Sequence, residues 1–475
     1  MKSLLAQSSL TKVILLVLLV LFAALPLARI GGLIEERGAS RAHAAHELAT
    51  RHAGPQVVAG PVLVIPYIER WVEEETDDKG KTKRTPRSKQ VTHYVFPEKS
   101  ELTGRLAAQE RYLGIFTVLF YDLTGGFRGR FPAFDAAALP HSEKNSSFEV
   151  QAPVLAFTVS DLRGLQGAPT LRIAGAPGRW LPRVPHVPPQ SWLAQGIHAA
   201  LPAEAQEAFT QKQPLDFQLD LTLVGQERLS VVPLADENTA QLSSDWPHPS
   251  FGGEFLAVRR TVGDKGFEAS WSVSSLVSSA RAQLLHDLRG EAKVPPEVGI
   301  AAGRQVADRL DSFDVSLIEP LNVYAMSERA VKYGLLFVGL VLMAAFMFEL
   351  FAQLRLHPVQ YGLVGLSITL FFLLLLALSE KIAFGLAYAV AACASTLLLT
   401  VYFSAVLRGW KRGLGLGAYV AVLYAALYGL LSSEDNALLL GSLLLFALVG
   451  LLMLGTRRVD WYALSSRPAA PAAST

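Results

Sequence analysis

Three groups of residues in this 475-residue sequence have types and spacings that support chemistry. The first is His43 and His46, at i, i+3 in an Ala-rich polar stretch that also holds Glu47 and His52. On a helix the two imidazoles share a face and could hold a divalent metal. No cysteine and no second His–carboxylate set completes a ligand sphere, so the pair reads as solvated surface histidines, with no metal and no cofactor expected. The second group is Ser244-Asp245-Trp246-Pro247-His248-Pro249-Ser250-Phe251-Gly252-Gly253-Glu254-Phe255. Its prolines stiffen the backbone and its aromatics are large apolar anchors. It reads first as a structural corner in which Trp246 and Phe251 lock onto a sheet. The alternative is a ligand or partner surface carrying Asp245 and His248. The third group is ionisable residues at apolar runs: Glu349 near the end of one and Lys381 at the edge of another. Such residues mark transport paths when they lie inside a membrane, but here they are few and peripheral. The patterns G-x-S-x-G, H-E-x-x-H, G-x-x-x-x-G-K-[ST] and C-x-x-C are absent, and no catalytic residue is assigned.

The elements that hold these groups are dominated by hydrocarbon. Between Val331 and Gly455 five apolar runs, 331–353, 360–378, 382–406, 414–431 and 437–455, are separated by short polar breaks. Each has the roughly 18–25 residues that span a bilayer core. With no water to satisfy the backbone there, the spans are helices. Arg355, His357, Arg408, Lys411, Arg412, Arg457 and Arg458 fall in one alternate set of breaks; Glu380, Lys381, Glu434 and Asp435 fall in the other. Basic residues collect on the cytoplasmic side, which places the C-terminus in the cytoplasm and the residues before 331 outside it. A further run, 12–34, follows a short cytoplasmic tail, 1–11. A signal peptide is the rival reading, but Leu27-Ala28-Arg29 is a poor cleavage site and Ala42-His43-Ala44 lies too far on. An uncleaved anchor is expected, giving six membrane helices with both termini cytoplasmic. Residues 456–475 read as a disordered cytoplasmic tail.

The stretch 35–330 reads as a large β-rich, sandwich-like periplasmic domain with some helix. A solvated helix is expected over 35–53. Gln56–Tyr67 reads as a strand pair with a Gly-Pro break, and Glu73–Lys89, acidic then basic, as a self-neutralising hairpin tip. Strands are expected at 91–96, 102–107, 116–123, 127–134, 148–154, 171–173, 215–224, 228–232 and 314–323. A helix is expected around Leu276–Leu288, and 176–190 reads as irregular. Short strands with Gly/Pro turns argue for a sandwich or a large antiparallel sheet. The single cysteine, Cys393, lies in an apolar run, so no intramolecular disulfide supports the domain. The composition, 51% hydrophobic with a net charge of +2, fits a membrane protein and gives no footprint for nucleic acid.

One apolar run also carries a pattern. Gly413, Gly417, Ala421, Ala425 and Gly429 recur every fourth residue, a slowly drifting stripe that lets helix backbones approach. It is expected to pack inside the bundle or against a second copy, with Tyr424 and Tyr428 beside it. Leucine at Gly417 or Ala421 should then disrupt the protein, and leucine at Val420 should not.

Gly60-Pro61 with Ile65-Pro66, the Trp-Pro-His-Pro-Ser-Phe core of Ser244–Phe255, and Leu321–Tyr333 together carry a resemblance. Arg355-Leu356-His357-Pro358 with Gln360-Tyr361, Leu375–Glu380, Asp435–Gly441 and Arg457 with Asp460-Trp461-Tyr462 extend it over nearly the whole chain. The sequence resembles the CreD family of bacterial inner-membrane proteins. The resemblance implies a role in cell-envelope integrity and envelope stress, linked to a two-component system, colicin tolerance and β-lactam response. It carries over no catalytic residue, because the family has no settled biochemical activity. The reading is a non-catalytic inner-membrane protein whose periplasmic domain serves the envelope, with membrane lipids and envelope proteins or itself as partners. A transporter or transport accessory is the alternative, and a periplasm-facing membrane enzyme a further one.

Overall fold

Strand β1 (Gln56–Thr76) is the longest of the β-rich region and is apolar on both sides through Val57–Ile65 because both of its faces are covered. The computed structural model describes residues 9–76, 82–141, 146–289, 309–319, 323–351, 356–433 and 437–457. The expectations for 1–8 and for most of the C-terminal tail lie outside these residues. The chain divides into two units, one of His43–Pro320 and one of Met1–Ala42 with Leu321–Thr475.

In the first unit the described residues form two sheets. The nine-stranded sheet holds β1, β2 (Thr82–Val95), β5 (Ser147–Val150), β6 (Val154–Val159), β9 (Trp180–Pro182), β10 (Ile197–Ala200), β12 (Arg228–Val232), β14 (Pro249–Gly253) and β17 (Phe313–Leu317). The eight-stranded sheet holds β3 (Lys99–Leu113), β4 (Phe116–Phe131), β7 (Thr170–Ile173), β8 (Ala176–Gly178), β11 (Leu215–Gln226), β13 (Glu237–Ser244), β15 (Arg259–Gly263) and β16 (Gly266–Ser274). Most neighbours are antiparallel, but β1 with β12 and β3 with β13 run parallel. The main core contains Leu63, Ile65 and Phe157 of one sheet with Leu123, Phe127, Leu219 and Trp271 of the other. β11 reads Leu215-Asp216-Phe217-Gln218-Leu219-Asp220-Leu221, and its odd positions are the buried ones, as strict alternation requires. A second core lies on the other face of β1, where Val57, Val62 and Val64 meet Trp192 and the Leu284 and Leu288 of helix α3 (Ala280–Leu288). Double coverage is why β1 shows no alternation there.

The expected strand pair at Gln56–Tyr67 is therefore one strand. Gly60-Pro61 is a cis peptide inside it, and the register against β6 shifts between Ala59 and Val62. Gly60 takes φ +144°, and a Cβ on it would stand 2.7 Å from the Phe157 ring. The strands expected at 116–123 and 127–134 are likewise one strand, β4. Gly125 there allows β3 to come close, since a Cβ would lie 2.6 Å from the Gly104 Cα. The expected strand 148–154 is instead split between β5 and β6, and the final strand stops at Leu317. The irregular stretch holds the short β8 and β9, and helix α3 begins at Ala280, leaving Leu276 exposed. The hairpin of β1 and β2 pairs Arg84 with Glu74 at 2.7 Å and Arg87 with Glu73 at 2.8 Å, so its acidic and basic halves do neutralise one another.

Helices are numbered α1 (Ser9–Arg51), α2 (Ala203–Thr210), α3 (Ala280–Leu288), α4 (Val323–Phe351), α5 (Pro358–Ser379), α6 (Phe384–Val406), α7 (Trp410–Ser432) and α8 (Ala437–Thr456). The last turns of α1 belong to the β-rich unit. Leu48 packs with Val118, Phe120 and Val224, and the Arg163 guanidinium donates to the carbonyls of Ala49 and Thr50 while pairing with buried Asp161. Five segments are long and apolar enough to cross a membrane, Lys12–Arg51, Val323–Glu349, Pro358–Ser379, Phe384–Val406 and Trp410–Ser432. Helix α8 adds 20 residues without a charged side chain. α5 starts at Pro358 as its sequence suggests, with His357 as N-cap and its N–H donated to the Gln360 Oε1 at 2.9 Å.

Candidate functional site

The Ser244–Phe255 segment carries the chain from one sheet to the other. β13 ends at Ser244 in the eight-stranded sheet, and β14 begins at Pro249 against β17 in the nine-stranded one. Two prolines fit such a corner because neither has an N–H to leave unpaired. Trp246 is half-buried and donates its Nε1–H to the Ile318 carbonyl at 2.9 Å; Ile318 in turn donates its N–H to the His248 carbonyl at 3.0 Å. Asp245 accepts the Ala108 N–H at 3.2 Å and faces Arg105 at 3.9 Å, holding β3. Phe251 sits edge-on to Phe267 and Trp271, and Trp271 stacks on Phe313. His248 is exposed, with its ring 6.2 Å from that of Trp246. The geometry is that of a sheet-to-sheet lock. Because the Trp246 ring is only half-buried, Trp246→Ala is expected to cost about 2–3 kcal/mol, below the 3–5 of a fully buried ring. Trp246→Phe should lose only the hydrogen bond, about 1 kcal/mol. Denaturant melts of the purified chain followed by circular dichroism measure both.

The remaining sequence candidates separate. His43 and His46 are exposed on α1, and among the described residues no cluster of three or more His, Cys, Asp or Glu side chains forms. Cys393 is exposed on α6. Glu349 is buried to 3% exposure, and both its oxygens are engaged, one by the Lys12 ammonium of α1 and one by the Tyr361 hydroxyl of α5. Further along α1, Arg37 lies 3.6 Å from Glu380. Neither contact was legible in sequence, because each joins α1 to residues more than 300 positions away.

The small-residue stripe is only half packed. Gly413 and Gly417 are buried against α6: a Cβ would lie 2.5 Å from the Ser404 Cα and 3.0 Å from the Thr400 Cβ. Tyr424 shares a hydrogen bond with Ser395 at 2.9 Å, and Tyr388 donates to the Tyr424 carbonyl at 2.7 Å. Ala421 and Ala425 line an apolar cleft between α6 and α7, and Gly429 is exposed, whereas Val420 is 1% exposed. The expectation that Val420 would tolerate enlargement while Ala421 would not is therefore reversed. A stripe of period four drifts around a helix of period 3.6, so its two ends cannot face one neighbour.

A titratable pair that the sequence gave no reason to single out sits in the second core. Asp287 of α3 accepts the Trp192 N–H at 2.9 Å, and burial pushes its carboxyl above the ordinary value. Burial, and then the charge of Asp287, push the Tyr94 hydroxyl up to about 12. A carboxyl raised in the folded state favours the protonated form, so its contribution to stability is whole at low pH and is lost as pH rises through the raised value. Asp287→Asn is thus expected to melt above the parent protein near neutral pH, with the gain vanishing below the ordinary carboxyl value of 3.8. Thermal melts across pH test this.

The description "Inner membrane protein CreD" matches residues 8–462. The chain belongs to the CreD family. The Inner membrane protein CreD of Escherichia coli (strain K12) is 34% identical over 456 residues, covering 94% of this chain and 92% of that relative. A CreD-family chain is a membrane protein, in keeping with the apolar helices α1 and α4–α8. Likeness to solved structures is remote. An M1 zinc metallopeptidase of Deinococcus radiodurans shares 11% identity over 38% of each chain, with TM-score 0.19. A Legionella pneumophila protein named for nutrient binding shares 6% over 52% of this chain and 77% of that one, with TM-score 0.23. At these scores neither bears on the CreD-family fold or its function.

Proposed function

We propose that this protein supports cell-envelope integrity and the envelope stress response, and that its β-rich unit faces the periplasm and acts by binding rather than by catalysis. The carrying observation is the edge of the eight-stranded sheet. Leu256 and Val258 lead into the edge strand β15, which holds Val262, and the three are 68%, 66% and 50% exposed. Large apolar side chains beside a strand edge that is unpaired among the described residues suit a protein partner, an envelope protein or a second copy, that adds a strand there. The alternating charges of the polar breaks support the orientation.

Two measurements test the reading. A reporter active only in the cytoplasm should work at Thr475 and fail at Gly80; activity at Gly80 would remove the periplasmic placement. A photocrosslinking residue at Val258 should capture a discrete protein in living cells, and the same residue at Ser272, exposed on the polar face of β16, should not. Equal, diffuse labelling from both positions would sink the binding reading.

A further inference from the structure

Within the membrane unit, α1 meets α4 where Leu27 lies against Gly334, and the two helices part beside that contact. They bound a crevice of about 700 Å³, within the usual range of ligand sites. Ala24, Leu27 and Ala28 of α1 and Leu335 of α4 form its apolar depth. Its mouth carries Glu35, Glu328 and Lys332, where the apolar runs of both helices end, at the level of lipid headgroups.

Two features point to an occupant. Gly31 and Gly38 face this space, and a Cβ on either would meet nothing within 4 Å. Glycine is a poorer helix residue than alanine, and no packing among the described residues calls for it here, whereas close approach of a ligand to the α1 backbone does. The charges at the mouth are the second feature. Glu328 and Lys332 pair at 2.8 Å as an exposed i, i+4 couple, which is readily surrendered. Glu35 is exposed and makes no ion pair among the described residues. Two carboxylates against one ammonium disfavour an anionic headgroup and suit a zwitterion with a primary amine.

We propose that this crevice binds one aminophospholipid, with an acyl chain between α1 and α4, its phosphate at Lys332 and its ammonium at Glu35. A quaternary ammonium has no N–H to donate to a carboxylate, so phosphatidylcholine is the discriminating comparison.

The test uses the full chain purified in detergent, with dioleoyl phosphatidylethanolamine, phosphatidylcholine or phosphatidylglycerol added singly. Native mass spectrometry reads bound lipid and a thermal melt reads stabilisation. Phosphatidylethanolamine is expected to be retained and to raise the melting temperature most. Glu35→Gln, on an exposed rim, should weaken its retention by about tenfold and bring it to the level of phosphatidylcholine. Gly31→Leu, directed into open space, should fold and lose the lipid. Equal retention of all three lipids, or a phosphatidylethanolamine preference untouched by both variants, would overturn the proposal. So would a Gly31→Leu protein that changes oligomeric state and ignores lipid, since the crevice would then hold a helix of a second copy.

Discussion

Gly417→Leu is expected to be nearly absent from the monodisperse fraction of detergent-extracted membranes, while Ala421→Leu is recovered like the parent protein. The two residues lie one turn apart in a single pattern of small side chains, but they meet different surroundings. At Gly417 the Thr400 side chain of α6 is so near that even a Cβ would lie 3.0 Å from its Cβ, and leucine must part the two helices. That overpacking costs about 1–3 kcal/mol or more, and it falls one turn from the closest backbone approach of α6 and α7, where a Cβ on Gly413 would lie 2.5 Å from the Ser404 Cα. Ala421 opens onto the cleft, where a larger apolar side chain meets lipid. Val420→Leu, at a position 1% exposed, should fall between them. Fluorescence-detected size-exclusion profiles of tagged variants compare all three. Equal recovery of the leucine variants at 417 and 421 would mean the helices do not meet at Gly417.

The second large effect is expected at Lys12. Removing it with Lys12→Ala leaves the Glu349 carboxylate buried with, among the described residues, only Tyr361 to answer it. Breaking one partner of a buried pair typically costs 3–5 kcal/mol; Lys12 is itself 32% exposed, so about 2–4 is expected. The double variant Lys12→Ala with Glu349→Gln removes the uncompensated charge and should recover most of the loss. Thermal unfolding of the solubilised chain decides it. If the double variant is as unstable as Lys12→Ala, the ammonium packs α1 by its stem, not its charge.

Elements whose signal is local were legible in the sequence. The apolar runs matched their helices to within a few residues at most ends because hydrocarbon length is read directly. The Leu215–Leu223 alternation gave β11 and its buried face. β13 and β16 went unread because Glu237–Ser244 and Gly266–Ser274 are rich in Ser and poor in β-branched residues. Their strand character comes from pairing with each other and with β3. β1 was misread because Gly60-Pro61 is a turn signal in isolation, and only the approach of Phe157 explains why a glycine stands mid-strand. For the site, composition alone marked Ser244–Phe255 as a stiff corner with aromatic anchors. That Trp246 is fastened to Ile318, or that Glu349 answers Lys12, depends on partners no local window contains.

The parallel pairings have a consequence during synthesis. β1 closes on β12, β3 closes on β13, and β12 is flanked by β17 at the end of the β-rich unit. When Phe131 leaves the ribosome, β1 to β4 exist but the strands that seal them do not. About 190 further residues must follow before Leu317 is made, roughly 10–40 s at ordinary elongation rates. Over that interval apolar residues such as Val62, Val64 and Phe127 have no cover. Loop closure over such separations is also slow. Yield in overexpression should therefore follow elongation rate and temperature more closely than it follows the stability of the finished protein.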